Sequence, residues 1–344
     1  MTQPASEALN LARAAISILP VLLFLACLVL LDSFKLTPLR RVAGGIAAGC
    51  VAAVVSYLVS GWWLGRWDRP LGSLAVAPPV EEILKAVFIW WLLRTERIGF
   101  MVEGAIYGFA VGAGFAAAEN IVYVGFLSGA SLYVSILRGF GTAVMHGGAT
   151  AIVGILAASW VHRGTGAGAA ALAGGLIIAT GVHIFYNSPL LPPVPSVCVV
   201  LVGVPALMAA IFIRSEHALE RWMGEGFDAD LELLDLISSG RFGATHAGQY
   251  LQSLRDSFPA PVVADMLCLV QIYAELAVRA KAELLKREAG LASGPDAEVT
   301  GRLEEVRHLE NNLGPTGRLA LAPLLAGRSR RLWQLQQLML SQSG

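Results

Sequence analysis

The chain contains 344 residues, of which 56% are hydrophobic and 15% charged, and its mean hydropathy is +0.63. This composition is typical of polytopic membrane proteins and excludes an ordinary soluble enzyme. The formal net charge is zero, so the overall charge indicates no nucleic-acid partner. The four cysteines are scattered, without the spacing of a metal site or a disulfide framework.

Seven apolar segments are long enough to cross a bilayer, whose core requires ~20 apolar residues. The first is longer than the ~7–15 residues of a signal-peptide core, so we expect an uncleaved span. Glycine, alanine and serine are frequent in the second to sixth segments, which favours close packing of helices in lipid. The predicted spans cover residues 14–34, 42–63, 73–93, 100–127, 132–161, 166–187 and 196–214.

Basic residues in the short loops predict the orientation, because cytoplasmic loops are enriched in lysine and arginine. The loops after spans one, three and five and the start of the tail are more basic than the opposite loops, which hold only Arg66 and Arg69. The N-terminus is therefore predicted outside and the C-terminus in the cytoplasm. The bases on the predicted inner side are Lys35, Arg40, Arg41, Arg94, Arg97, Arg163, Arg214 and Arg221.

The composition changes after the last span, because residues 215–344 contain 17 of the 25 acids and 13 of the 25 bases. Apolar residues recur there at three- and four-residue intervals, which indicates helices. The sequence predicts an all-α protein in two parts, a membrane bundle over residues 1–214 and a cytosolic helical domain over residues 215–344. The partner and role of the second part are open, and regulation or packing is the simplest interpretation.

Polar side chains occur deep inside four of the predicted spans. A charged group at the middle of a membrane helix costs ~2.5–3.5 kcal/mol on insertion scales, so several together are expected in the bundle interior. Helical spacing supports this. Gly104, Gly108 and Gly112 recur every four residues, and Glu119 follows Gly112 by nearly two turns, on the same face. The polar candidates are Glu81, Glu82, Lys85, Glu119, Asn120, Arg138, His146, His183 and Asn187.

His146 and His183 lie on similar ridges of small or polar residues in spans five and six. Depths counted from the predicted loops place all the acids and histidines in the outer half of the membrane. We therefore expect them to meet in one site at small-residue helix interfaces. The two ridges are Arg138, Thr142, His146 and Thr150, and Gly175, Ala179, His183 and Asn187.

Such a set suits peptide hydrolysis. A carboxylate beside a lysine stays ionised and can activate water, and a second carboxyl can protonate the leaving amine. Histidine or asparagine can donate to the oxyanion. Three protein ligands and a water would equally form a catalytic zinc site, so both mechanisms stay open. Lys85 is expected to pair with Glu81, one helical turn before it.

The motif Pro-Pro-x-Glu-Glu-x-x-Lys from Pro78 to Lys85, the Glu119-Asn120 pair and a histidine in each of two later spans resemble the PrsW family of intramembrane proteases. The chain is also similar, more distantly, to the CAAX prenyl protease group. The resemblance covers about residues 73–190. It implies cleavage of a single-pass membrane protein, such as an anti-sigma factor in bacterial stress signalling, near the outer face of the plasma membrane.

The resemblance also implies roles for the polar residues. Asn120, Asn187 and Lys85 would support the site, and zinc would be the cofactor if a metal is used. The implied catalytic residues are Glu81, Glu82, Glu119, His146 and His183. If a metal is used, the implied ligands are Glu82, Glu119, His146 and His183.

Two functions of another class fit the same residues. Intramembrane glutamates and histidines also form the proton relays of ion-coupled transporters, although the two halves show no internal hydropathy repeat. A non-catalytic receptor or scaffold is the third alternative.

The remaining polar and aromatic residues are expected near the membrane surfaces. Arg138 is expected to snorkel to the outer interface, while Glu103 and His162 are expected to be solvated. Tryptophan pairs at residues 62–63 and 90–91 indicate interface anchors.

Overall fold

The computed structural model describes residues 3–64, 76–95, 97–126, 131–160, 165–291 and 297–325. Arg66, Arg69, His162 and Arg163, which enter the sequence arguments, lie outside these ranges. Every regular element in the described ranges is a helix, so the predicted all-α class is confirmed.

Eleven α-helices occupy the described residues. A π-helical turn, Arg138–Thr142, joins the fifth helix directly to the sixth, and short 3₁₀ turns, Arg241–Ala244 and Leu254–Asp256, flank the ninth. The helices are α1 Gln3–Leu30, α2 Leu39–Leu64, α3 Ala77–Arg94, α4 Met101–Phe126, α5 Leu132–Leu137, α6 Ala143–Trp160, α7 Thr165–Asn187, α8 Pro193–Ser238, α9 His246–Ser253, α10 Ala260–Glu288 and α11 Ala297–Leu325.

Seven helices in the described part of the chain are long and apolar enough to cross a membrane, which makes this a multi-pass integral membrane protein. Six of them coincide with predicted spans. The predicted span over residues 73–93 corresponds to α3, whose charged side chains take it outside that criterion. The seventh qualifying segment is instead Ala260–Lys286 of α10, which the sequence analysis assigned to the tail.

The chain divides into two compact units, Met1–Ser215 and Glu216–Gly344. In the second unit α10 packs against α11 and has apolar side chains buried around most of its length. Lys281 of α10 is fully buried and lies 2.7 Å from the carboxylate of Asp230 on α8. Within its own unit, α10 is therefore a core helix. The cytosolic location and the role of this unit remain predictions.

The first unit is built around α4, which packs on α6, α2 and α1. Apolar residues of α4 are buried on all sides, as expected for a helix surrounded by protein. Its glycine face lies against the backbone of α6, as the spacing predicted. A Cβ atom at Gly112 would stand 2.2 Å from the carbonyl oxygen of His146, so only glycine permits this approach.

Helix α3 begins with proline at its first positions, where the missing N–H has no helical partner in any case. Its buried face recurs every three or four residues and includes Glu82 and Lys85. Ile83, Val87 and Trp90 on the other side are exposed, as lipid-facing residues would be. The local helix register therefore points the charged pair inward.

The expectation that Glu103 is solvated is wrong. Its side chain is buried, and Oε2 accepts hydrogen bonds from the backbone N–H groups of Gly99 at 2.6 Å and Phe100 at 3.0 Å. These contacts cap the start of α4, where the first N–H groups have no helical partner. Glu103 is therefore a capping residue at the helix end.

Candidate active site

The predicted polar residues converge from four helices. Glu81, Glu82 and Lys85 come from α3, and Glu119 from α4. The two histidines come from α6 and α7, and their rings meet edge to face with centroids 4.7 Å apart. Residue spacing predicts the face of one helix at a time, and the structure brings these four faces together.

A buried charge pair forms the floor of the site. Lys85 Nζ donates to Glu82 Oε1 at 2.6 Å, and both side chains are completely inaccessible to solvent. The same oxygen lies 2.8 Å from His183 Nδ1. Because a carboxylate only accepts, His183 carries its proton on Nδ1. The predicted pairing of Lys85 with Glu81 is therefore wrong, since α3 directs the lysine to the residue three positions before it.

His146 connects this floor to Glu119. Its Nδ1 lies 3.1 Å from Lys85 Nζ, and its Nε2 lies 3.1 Å from Glu119 Oε2. An ammonium group only donates, so Nδ1 accepts and the proton on Nε2 is donated to Glu119. Phe115 covers one side, with its ring 4.7 Å from Lys85 Nζ and 5.0 Å from the His146 ring. The aromatic wall keeps this contact in an apolar environment.

Glu119 also has a cationic partner. Arg138 Nη2 lies 3.0 Å from Glu119 Oε1, and Arg138 Nε donates to Asn120 Oδ1 at 2.7 Å. Asn120 in turn donates to the carbonyl oxygen of Ser17 on α1 at 2.8 Å. The expectation that Arg138 snorkels is therefore wrong, because its side chain is only 16% exposed and is paired inside the bundle.

The site has one closed side and one open side. Glu82 and Lys85 are 0% exposed and the histidine side chains 2%, whereas Glu81 is 19% and Glu119 40% exposed. We therefore expect water and substrate to approach the two less buried carboxylates first. Asn187 is exposed at the end of α7 and takes no part in this network.

Three side chains in the site could hold a metal ion. Glu81, His146 and His183 each offer one ligand atom, all within 4.8 Å of one another. The distance from His183 Nε2 to Glu81 Oε2 is 3.7 Å. This is less than the summed length of two metal–ligand bonds of ~2.0–2.2 Å each, so both atoms could bind the same ion. His183 Nδ1 is held by Glu82, the arrangement that usually orients a metal-binding histidine.

The residue types of this trio suit a catalytic zinc ion, which uses three protein ligands and a water. Both ring nitrogens of His146 have partners here, so this histidine would bind a metal by releasing Lys85 or Glu119. The trio shares both histidines with the ligand set that the resemblance implied, but its carboxylate is Glu81. Glu82 is engaged with Lys85 and His183, and Glu119 with His146 and Arg138. Glu82 Oε2 is buried and has no hydrogen-bond partner among the described residues, which leaves one acceptor beside the trio.

Sequence reasoning missed two contributors to the site. Phe115 gave no signal, because an aromatic residue in an apolar helix is ordinary. Arg138 was visible as a charge in an apolar span, but its partners depend on how α4 and α6 are aligned. Neither contact follows from the spacing within one helix.

One family model, described as PrsW family intramembrane metalloprotease, matches residues 37–213. The matched region runs from α2 into α8 and contains every site residue from Glu81 to His183. No curated protein and no solved structure matches the chain.

Proposed function

Because this chain belongs to the PrsW family of intramembrane metalloproteases, we propose that it cleaves a single-pass membrane protein near the outer face of a bacterial plasma membrane. The substrate class that the resemblance suggests is an anti-sigma factor. The observation that supports this site is the meeting of carboxylates and imidazoles from four helices in one cluster with a single more exposed side. The proposed orientation has the C-terminal unit in the cytoplasm.

In a metal-free reaction, Glu81 is the proposed general base. It belongs to the more exposed side of the cluster and lies 3.7 Å from His183 Nε2, so a water beside it would meet both groups. Glu82 is held by Lys85 and orients His183 through the hydrogen bond to Nδ1. Glu81 would then give the proton that it took from water to the leaving amine, while His146 and Glu119 line the same side of the site.

If the enzyme uses a metal, Glu81, His146 and His183 are the proposed ligands. A divalent ion such as zinc there would polarise the scissile carbonyl and lower the pKa of a bound water. Glu81 is then committed as a ligand. Glu119, the most exposed carboxylate of the cluster, is the group left to take the proton.

The first test uses Glu81→Gln and Glu82→Gln with a co-expressed single-pass substrate, found among the membrane proteins that accumulate uncut when this chain is deleted. Cleavage is expected to fall ~100- to 10,000-fold in both variants while membrane insertion is retained. Ile83→Ala, on the exposed face of the same turn, is the matched control and is expected to cleave normally. Normal cleavage in both glutamine variants would refute this site.

Proton flux into proteoliposomes distinguishes the protease from the transporter alternative. Only a transporter would show a proton flux that Glu81→Gln and Glu82→Gln abolish.

Metal content distinguishes the two hydrolytic mechanisms. We expect about one zinc per purified chain, lost in His183→Ala and retained in Glu119→Gln. A metal-free chain whose cleavage resists chelators would establish the glutamate mechanism.

A further inference from the structure

The π-helical turn Arg138–Thr142 interrupts the helix that carries His146. A π-turn holds one residue more than an α-helical turn, and such turns are frequent at functional sites. Arg138 begins this turn, and His146 follows its last residue by four positions. Both nevertheless contact the same carboxylate, Glu119, at 3.0 Å and 3.1 Å.

The extra residue explains how one helix presents both side chains to one partner. At ~100° per residue, positions eight apart in an uninterrupted α-helix differ by about 80° around the axis. With one residue absorbed by the π-turn, the pair behaves like positions seven apart, which differ by about 20°. The turn therefore rotates Arg138 onto the face of His146.

Packing holds this turn in place from two sides. A Cβ atom at Gly139 would lie 2.1 Å from the carbonyl oxygen of Ile16 on α1. One at Gly141 would lie 2.2 Å from the hydroxyl oxygen of Tyr186 on α7. Because both residues are glycine, α1 and α7 pack directly against the backbone of the turn. This packing fixes the direction of the Arg138 side chain.

We propose that Arg138, set by this π-turn, is a positioning residue that holds Glu119 towards His146 at the open side of the site. Its Nη2–Glu119 contact is a charge pair without hydrogen-bond alignment, and its Nε anchors Asn120, which is tied to α1. A guanidinium group serves both partners at once, which an ammonium group at this position does not. The inference rests on the proposed function of the same cluster.

Two substitutions test the side chain. Arg138→Gln is expected to lower kcat ~10- to 100-fold with KM little changed, the usual cost of losing a group that orients a reacting residue. Arg138→Lys is expected to keep an intermediate kcat, because it retains the charge facing Glu119. Equal kcat losses in the lysine and glutamine variants, or unchanged kcat in Arg138→Gln, would overturn the proposal.

An insertion tests the turn. Adding one alanine after Phe140, whose side chain is 41% exposed, keeps both glycines and gives the π-turn a residue that it does not absorb. The pair then behaves like positions eight apart, so Arg138 turns about 80° from the face of His146 and kcat should fall as in Arg138→Gln. Deleting Phe140 instead leaves the pair seven apart in an uninterrupted helix, on one face, and is expected to keep a kcat close to that of Phe140→Ala. An insertion variant as active as Phe140→Ala would overturn the proposal, and if it fails to insert into the membrane, the two substitutions decide.

The proposed function of the cluster and the role of Arg138 can be refuted independently of each other. Loss of cleavage in Glu81→Gln with normal cleavage in Arg138→Gln would remove the role of Arg138 and leave the proposed function intact. Normal cleavage in Glu81→Gln, Glu82→Gln and Arg138→Gln alike would remove both.

Discussion

Glu82 and Lys85 are fully buried in a helix whose other faces are apolar. Each ion alone would be costly in this environment, and the contact between them offsets part of that cost. The sequence identified both residues as inward-facing, because lipid exposure of either is unfavourable. It assigned the wrong glutamate to the lysine, since positions three and four residues away are both within reach on a helix.

The buried pair makes a prediction about stability. Lys85→Met is expected to destabilise the protein by about 3–5 kcal/mol, because Glu82 would remain as an uncompensated buried charge. The double variant Glu82→Gln/Lys85→Met is expected to recover most of this loss while remaining inactive. Thermal unfolding in detergent, followed by tryptophan fluorescence, measures both.

Lys286→Met, which removes an exposed lysine from α10, is the control and is expected to stay within about 0.5 kcal/mol of the parent chain. A double variant no more stable than Lys85→Met would show that the charge left on Glu82 is not the cause.

At the scale of helices, the backbone contact between α4 and α6 positions Glu119 against His146. The glycine spacing predicted this face correctly, because small residues at four-residue intervals allow two helices to approach. The π-turn was not predicted, since one inserted residue leaves the hydropathy of a span unchanged. Arg138 was expected to snorkel because it lies near the outer end of its span, and in the structure it lies beside Glu119.

Gly112→Ala tests the importance of the α4–α6 spacing. The added methyl group would lie 2.2 Å from the carbonyl oxygen of His146, so the helices must separate by roughly 1 Å. Displacements of that size cost up to ~100-fold in rate, and we expect a loss of this order in kcat. Gly174→Ala on α7, where an added Cβ would meet no described atom of another element within 4 Å, is the matched control and should cleave normally. Equal activity in the two variants would contradict a requirement for close approach.

At the scale of the molecule, the sequence predicted a membrane part and a polar tail, but hydropathy alone does not classify α10. Its apolar residues satisfy the length and composition of a span and also form the buried core of the second unit. Hydropathy averaged over a window describes how apolar the side chains are, and it does not distinguish burial in lipid from burial in protein. The charge of Lys281, buried against Asp230, favours a protein surrounding over lipid.

Cys268 reports the location of α10, because its side chain is exposed within the second unit. In a variant without Cys27, Cys50 and Cys198, an impermeant maleimide is expected to label Cys268 only after the cells are permeabilised. Labelling in intact cells would reverse the proposed orientation, and no labelling after permeabilisation would place α10 in lipid. Leu190→Cys, in the loop between α7 and α8, is the control and is expected to react in intact cells.

The uneven burial of the acids has an electrical consequence. In the proposed reaction a proton leaves water and reaches the amine product on the same side of the site, that of Glu81 and Glu119, and the buried Glu82–Lys85 pair takes no proton from it. Each turnover then carries no net charge through the bilayer. We therefore expect peptide-bond cleavage at this centre to generate no membrane potential of its own.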